Sequence, residues 1–221
     1  MPKLSKNPKM QVSPGSSQVS SDLSGDAGAM TLNALNLANH FLIAMPSMAD
    51  PVFSGTVVYL CEHNSQGALG MVINKPTDMC IDDLLDRVEL QGEKSPDYLA
   101  LAERPVMFGG QVQEDRGFVL HTPGDAYSST LKVTEQIAFT TSRDILEAIA
   151  TGKGPSRFLI SVGYSGWSAG QLESEIAANA WLTVEADPAV LFDLPLEQRY
   201  KAAIRLLGID PLMLAAEAGH A

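Results

Sequence analysis

The amino-acid sequence predicts one domain of the α/β class, in which helices pack on a mixed β-sheet. Its length of 221 residues fits one large domain, or one domain with tails. Strand-like and helix-like segments alternate, but the first half is rich in hairpin patterns, which favours a mixed sheet. Apolar residues make up 45% of the chain and charged residues 19%, which excludes a wholly disordered protein and a coiled coil.

We expect the chain to divide into a short tail and one folded domain. Residues 1–28 have few bulky apolar side chains and many Ser, Pro and Gly residues, which is typical of a disordered tail. Lys3, Lys6 and Lys9 leave open a basic arm that touches nucleic acid or lipid, but no apolar segment follows them as a secretion signal requires. Residues 29–221 form the predicted domain.

Composition restricts the compartment and the partners. Two cysteines and the missing secretion signal favour a cytoplasmic protein with reduced thiols. No stretch of about 18 apolar residues occurs, so we expect no membrane-spanning helix. The net charge of −11 argues against nonspecific binding to nucleic acid, because such binding needs Lys and Arg at the phosphates.

The first half of the chain contains a predicted hairpin of two apolar strands. Residues 39–46 form a first strand that Pro46 closes. Residues 55–63 are β-branched, aromatic and nearly all apolar, as in a strand that is buried on both faces. They should pair with residues 68–74 through the loop 64–67.

A helix, a loop and two more strands are predicted after the hairpin. Thr77 or Asp78 is placed to cap a helix that starts near Ile81. Residues 89–104 read as a polar loop. Two strands follow, at residues 105–110 and 117–121, with a turn between them at residues 114–115.

Strands and helices alternate in the second half. The predicted elements are a strand at 137–140, a helix that Ser142 caps and Gly152 ends, a strand at 157–163, a helix at 169–178, a strand at 180–184 and a last helix from Pro195. The last helix carries Arg199, Lys201 and Arg205, so specific DNA binding is one hypothesis for it. Glu197 lies four residues before Lys201, which favours a solvated helix face with an ion pair instead.

A first candidate for chemistry is the run Cys61-Glu62-His63. On a regular strand Cys61 and His63 point to one face and Glu62 to the other. An imidazolium beside a thiol lowers the thiol pKa, which would make Cys61 a nucleophile or a redox sensor. The alternative is packing, because Cys61 ends an apolar run and a free cysteine commonly packs as a small hydrophobe.

A metal site is not predicted. The sequence has no Cys-x-x-Cys and no His-Glu-x-x-His pattern. One arrangement stays open, in which His121 at the end of its strand meets His63 across a sheet. The competing interpretation is two strand-end histidines in separate polar contacts. We likewise expect no cofactor, since no phosphate-binding glycine loop occurs.

The run Gly166-Trp167-Ser168-Ala169-Gly170 matches the G-x-S-x-G pattern of a nucleophile elbow, between a predicted strand and helix. A hydrolase would also need an acid and a histidine downstream. The candidates for the acid are Asp187, Asp193 and Asp210. The one histidine that follows them is His220. The stronger interpretation is a capping box, in which the Ser168 hydroxyl and the Gln171 amide bind the amides at a helix start.

Four blocks of sequence resemble the YqgE/AlgH family. They contain the runs FLIAMPSMADPVF, VVYLCEHN with GALG and VINKP, FGG with DRGFVLH, and GYSGW with GQLE, and they lie in order within residues 32–207. Two positions depart from the family pattern. Gln111 stands where a proline is expected, and Ser168 stands where glycine is usual, which weakens the G-x-S-x-G match.

The resemblance implies a single α/β domain whose mixed sheet folds into a pseudo-barrel flanked by helices, in a bacterial cytosolic protein. The family carries the name of a transcriptional regulator, from alginate control, but it supplies no established activity. We therefore expect a noncatalytic regulatory or binding protein with an unknown protein or small-molecule partner. The alternative is a thiol-dependent enzyme or redox sensor that uses Cys61 with His63. The ligand-binding candidates at motif positions are Glu62, Asn64, Gly109, Gly110, His121, Trp167 and Gln171.

Overall fold

The computed structural model describes residues 36–90 and 94–210, so the tail predicted at residues 1–28 lies outside the described residues. The strands are β1 (His40–Ala44), β2 (Val57–Asn64), β3 (Gly67–Val72), β4 (Pro76–Cys80), β5 (Pro105–Phe108), β6 (Val112–His121), β7 (Thr130–Lys132), β8 (Ala138–Thr140), β9 (Phe158–Ser168) and β10 (Trp181–Glu185). The helices are α1 (Ile81–Arg87), α2 (Leu99–Ala102), α3 (Asp144–Ala150), α4 (Gln171–Ala177), α5 (Pro188–Phe192) and α6 (Leu196–Leu206), and a 3₁₀ turn covers Pro96–Tyr98.

The strands form one curled, mixed sheet, which confirms the predicted fold class. Its order is β10-β1-β2-β3-β9-β6-β8-β7, and β5 joins β9 on the same edge as β3. The β5–β9 pair is parallel and the other pairs are antiparallel. The eleven-residue strand β9 therefore pairs with three others, β3, β5 and β6.

Helices cover the sheet because its strands are apolar on both faces. In β2, Tyr59 packs into a core with α5 and α6, whereas Leu60 packs into a second core that α4 covers. A third core joins α1 and α3 to the β6–β9 region. This alternation confirms the prediction that the second strand is buried on both sides, and the β2–β3 hairpin is also confirmed.

The predicted helix caps differ from the observed ones. Residues 76–80 continue as strand β4 and pair with β5, so neither Thr77 nor Asp78 caps α1. The Thr77 hydroxyl instead donates to the Val106 carbonyl oxygen at 2.8 Å. At α3, Arg143 occupies the N-cap position, and the Ser142 hydroxyl donates to the Asp144 carboxylate rather than capping the helix.

The structure also differs from the sequence predictions in other secondary-structure elements. The polar loop predicted at residues 89–104 contains α2, because Ala102 and Tyr98 anchor this segment in the core. Residues 114–115 form no turn, since β6 continues through them with an irregular register against β9. Two short elements, β7 and α5, were not predicted, and α5 starts where the Asp187 carboxylate accepts the Ala189 N–H at 2.7 Å.

Candidate functional site

Two adjoining cavities open where β3, β6 and β9 meet α4. One has a volume of about 490 Å³ and the other about 360 Å³, and both use Val112, Gly166 and Trp167 as walls. We call the pair the Trp167 cleft. Besides the shared wall, the larger cavity is lined by Glu62 and Asn64 among others, and the smaller one by residues that include Asp50, Phe53, Gln171, Glu175 and Trp181.

A glycine pair places one rim of the cleft. Gly109 and Gly110 connect β5 to β6 and lie directly against β9. A Cβ atom on Gly109 would lie 2.1 Å from the Gly163 carbonyl oxygen, and one on Gly110, where φ is +148°, would lie 2.3 Å from the Tyr164 carbonyl carbon. Only glycine permits this approach, so the pair explains how Val112 comes to lie beside Gly166. The two glycines support the cleft from behind and do not line it.

Two tryptophans share one carboxylate at the inner wall of the smaller cavity. The Trp167 indole N–H donates to Glu175 Oε2 at 2.9 Å, and the Trp181 indole N–H donates to the same oxygen at 2.8 Å. The two rings are nearly perpendicular, with centroids 6.2 Å apart. Phe53 meets Trp181 edge to face at 5.7 Å. This network fixes both indole rings before any ligand arrives.

Gln171 completes the network from the first position of α4. Its amide nitrogen donates to Glu175 Oε1 at 3.0 Å, while its amide oxygen accepts the Ser168 backbone N–H at 3.0 Å. Half of the predicted capping box therefore forms. The other half is wrong, because Gly170 occupies the N-cap position with φ of +75° and the Ser168 hydroxyl bonds to the Gln171 amide oxygen instead.

Two of the predicted acids, Asp187 and Asp193, are not partners of the serine in the G-x-S-x-G run. Asp187 caps α5 and Asp193 pairs with Arg157, so neither acid is directed to Ser168. His220 lies outside the described residues.

Glu62 and Asn64 lie together at the mouth of the larger cavity. The Asn64 amide nitrogen donates to Glu62 Oε1 at 2.8 Å, and the Asn64 amide oxygen accepts the Gln66 backbone N–H at 2.7 Å. Both side chains are exposed. They thus give the opening of the cleft polar groups that are available to a ligand, next to the tight turn between β2 and β3.

The expectation that Cys61 and His63 share a face is wrong. The register of β2 against β3 slips between Leu60 and Glu62, so Cys61 is an extra, bulged residue and the alternation reverses after it. Cys61 packs with Tyr59 in the core under α5 and α6, whereas His63 contacts Leu37 in the core under α4. The Cys61 thiol is buried, and this burial raises its pKa well above the ordinary range.

His63 has structural contacts on its own side of the sheet. Its Nδ1 accepts the Leu37 N–H at 3.0 Å, so its Nε2 carries the proton and donates to Glu173 Oε1 at 3.1 Å. His63 thereby connects the chain before β1 to helix α4. This contact does not reach the cleft, which neither His63 nor Glu173 lines.

His121 lies at the far end of β6, outside the cleft. Its Nδ1–H donates to the Thr122 carbonyl oxygen at 2.9 Å, and its Nε2 accepts the Thr140 hydroxyl at 2.8 Å. Burial lowers the pKa of His121. His121 and His63 do not meet, and within residues 36–90 and 94–210 no three His, Cys, Asp or Glu side chains group to hold a metal ion.

One of the three basic side chains of α6 is buried and two are exposed. Arg199 is buried, and its guanidinium donates to the carbonyl oxygens of Ile73 at 2.6 Å and Leu194 at 3.1 Å. Lys201 and Arg205 are exposed. Of the residues that the structure describes, none belongs to a helix long and apolar enough to cross a membrane.

The cleft thus gathers Glu62, Asn64, Trp167 and Gln171 from the predicted candidates and leaves out His121. Sequence reasoning missed Glu175 and Trp181 as site residues. A signal was available, because the chain has only two tryptophans, and the second lies in the same sequence block as the first.

Comparisons with known proteins agree with the fold. The family model described as AlgH-like matches residues 41–212. A UPF0301 protein of Ralstonia nicotianae is 59% identical over 187 residues, which cover 85% of this chain and 96% of that protein. A UPF0301 protein of Burkholderia mallei is 57% identical over 189 residues, with the same coverage.

Two solved structures are similar to the chain. The solution structure of the AlgH protein from Pseudomonas aeruginosa has 51% identity and a TM-score of 0.70, and the match covers 85% of this chain and 97% of that one. An X-ray structure of a protein from Corynebacterium diphtheriae has 16% identity and a TM-score of 0.62, with coverage of 82% and 91%. The second likeness concerns the fold alone.

Proposed function

The chain belongs to the AlgH-like family, as its sequence blocks indicated, and from this membership we propose that it is a noncatalytic binding protein of a regulatory kind. Its protein or small-molecule partner is received in the Trp167 cleft. The observation that carries this proposal is the convergence of two buried indole N–H groups on one Glu175 oxygen at the cleft wall.

Preorganisation supports binding as the task of the cleft. The rings of Trp167 and Trp181 are fixed by hydrogen bonds and by each other, so a ligand does not have to order them. A volume of about 360 Å³ with aromatic walls and a few fixed polar groups is typical of a small-molecule site.

The candidate nucleophiles give no comparable support to an enzyme. Cys61 is buried with a raised pKa and is separated from His63 by the bulge, so the thiol-dependent alternative loses its activating neighbour. Both cysteines are free thiols, which supports a reducing compartment and hence a cytoplasmic location. The burial of Arg199 removes a cation from the DNA-binding alternative.

Fluorine NMR tests the proposal directly. Because the chain has two tryptophans and both line the cleft, fluorotryptophan labelling gives two signals that report on this site alone. The labelled protein is titrated with amines, amino acids, nucleotides and sugar phosphates as separate classes. We expect one class to shift both signals in a saturable manner, with no chemical conversion of the compound.

A matched pair of variants locates the binding. Gly166→Leu fills the wall common to both cavities, and a Cβ there meets only side-chain atoms at 3.4 and 3.6 Å. Gly124→Leu makes the same change where nothing lies within 4 Å. Binding should be lost in the first variant and kept in the second, and also kept in Cys61→Ala. Binding that survives Gly166→Leu, or turnover of a compound, would refute the proposal.

A further inference from the structure

Resting on the proposed function, the geometry points to the class of ligand: a small organic cation, with an ammonium or guanidinium group on an apolar stem, in the smaller cavity of the Trp167 cleft. The cavity combines aromatic rings, carboxylates and apolar side chains within about 360 Å³. Each of these three features favours the same chemistry.

The charges that face the cleft are all negative. Asp50 and Glu175 line the smaller cavity, and Glu62 lines the larger one. Among the described residues, no Lys, Arg or His lines either cavity. Lys75 donates to the Pro51 carbonyl oxygen at 3.2 Å, behind the loop that carries Asp50, but it is not part of the lining. A concave surface with charges of one sign attracts the opposite charge and repels anions.

The aromatic side chains form a corner. Trp181 contacts Trp167 at an interplanar angle of 80° and Phe53 at 75°. Ring faces attract a cation within about 6 Å of the centroid, most strongly for tryptophan. An apolar stem attached to that cation finds Met48, Val112 and Ala180 on the remaining walls.

Glu175 is an acceptor at both of its oxygens. Its Oε2 accepts the two indole N–H groups and its Oε1 accepts the Gln171 amide, which is the pattern of an ionised carboxylate. This carboxylate places a negative charge beside the rings that it fixes, and that charge attracts a bound cation. Asp50 adds a second carboxylate to the same cavity, and it also accepts the Val52 N–H at 2.7 Å.

The test compares a cation with its neutral copy. Choline and agmatine are titrated into the fluorotryptophan-labelled full chain, beside dimethylbutanol, in which a carbon atom replaces the choline nitrogen, and dimethylbutanoate as the anion. We expect both cations to shift the two signals in a saturable manner. The alcohol should bind about tenfold more weakly than choline, and the anion should not bind.

Charge-removing variants refine the test. Asp50→Asn and Glu175→Gln should each weaken choline binding about tenfold, and Asp50→Asn should leave binding of the alcohol unchanged. Glu103→Gln removes an exposed carboxylate outside the cleft and should change neither. Asn at position 50 can still accept the Val52 N–H, so Asp50→Asn decides the question even if Glu175→Gln disturbs the fold.

Several outcomes would overturn the inference. Equal binding of choline and its neutral copy would show that charge plays no part. A blocked trilysine peptide that binds where both free cations fail would place a protein partner there instead. No response to any of the four probes would also reject the cation. Nucleotide or sugar-phosphate binding that Gly166→Leu abolishes would reject the cation as well, yet preserve the proposed function.

Discussion

Replacement of Glu175 by alanine removes the acceptor that two indole groups share. Trp167 and Trp181 are only 7% and 4% exposed, so each would keep a buried N–H without its protein partner. An unsatisfied buried donor costs about 1–3 kcal/mol, and two cost about 2–6 kcal/mol. Since the cavity beside the rings is large enough for water, we expect the lower part of this range, about 2–3 kcal/mol.

Urea unfolding followed by far-ultraviolet circular dichroism measures this cost. The free energy of unfolding of Glu175→Ala should fall by that amount with an unchanged dependence on urea concentration. Gln198→Ala, an exposed change on α6, is the control and should cost less than about 0.5 kcal/mol. Glu175→Gln should recover part of the loss, because an amide oxygen still accepts a hydrogen bond.

A double-mutant cycle with Trp167→Phe separates the shared acceptor from simple loss of packing. Once the indole N–H is absent, removing Glu175 leaves one fewer donor unsatisfied, so the two effects should couple by about 1 kcal/mol. Additive effects, or a cost for Glu175→Ala no larger than that of the control, would refute the role assigned to this carboxylate.

Two further predictions concern His121 and Gly110, which are both ligand-binding candidates from the sequence. Burial lowers the pKa of His121 from its ordinary value of 6.5. As the pH falls below that value, the unfolded chain binds more protons than the folded chain, so the free energy of unfolding decreases. In urea unfolding between about pH 7 and pH 5, His121→Gln should show a smaller decrease than the unsubstituted protein. Gly110→Ala should lower the free energy of unfolding by about 3 kcal/mol, and with it the calorimetric melting temperature. Gly124→Ala is the control, because no atom lies within 4 Å of a Cβ there, and it should leave the melting temperature unchanged. Equal melting temperatures for the two variants would contradict the role of the glycine pair.

The fold could be predicted where hydrophobic pattern alone decides it. The unbroken apolar run of β2 indicated burial on both faces, and two cores indeed meet its opposite sides. Strand β4 could not be predicted in this way, because Pro76 indicates the end of the preceding strand. Residues 76–80 form a strand because they pair with β5, which is distant in the sequence. Helix α5 is five residues long, too short for a clear helical period.

The site was predicted in part, for similar reasons. Motif positions identified Trp167 and Gln171, but periodicity placed Cys61 with His63, because it assumes a regular strand. One bulged residue reverses that assignment, and a bulge has no simple sequence signal. Glu175 was missed because a carboxylate on a short helix normally faces solvent. The two indole groups lie in the strands before and after that helix, and the fold turns both toward it.

The place of β9 in the sheet also bears on how the protein is made. A nascent chain that has not reached residue 158 already contains β3, β5 and β6, yet it lacks the strand against which all three pair. Before β9 is synthesised, the edges of β3, β5 and β6 that pair with it have unpaired backbone groups. We therefore expect β3, β5 and β6 to join into one sheet only after β9 has been synthesised.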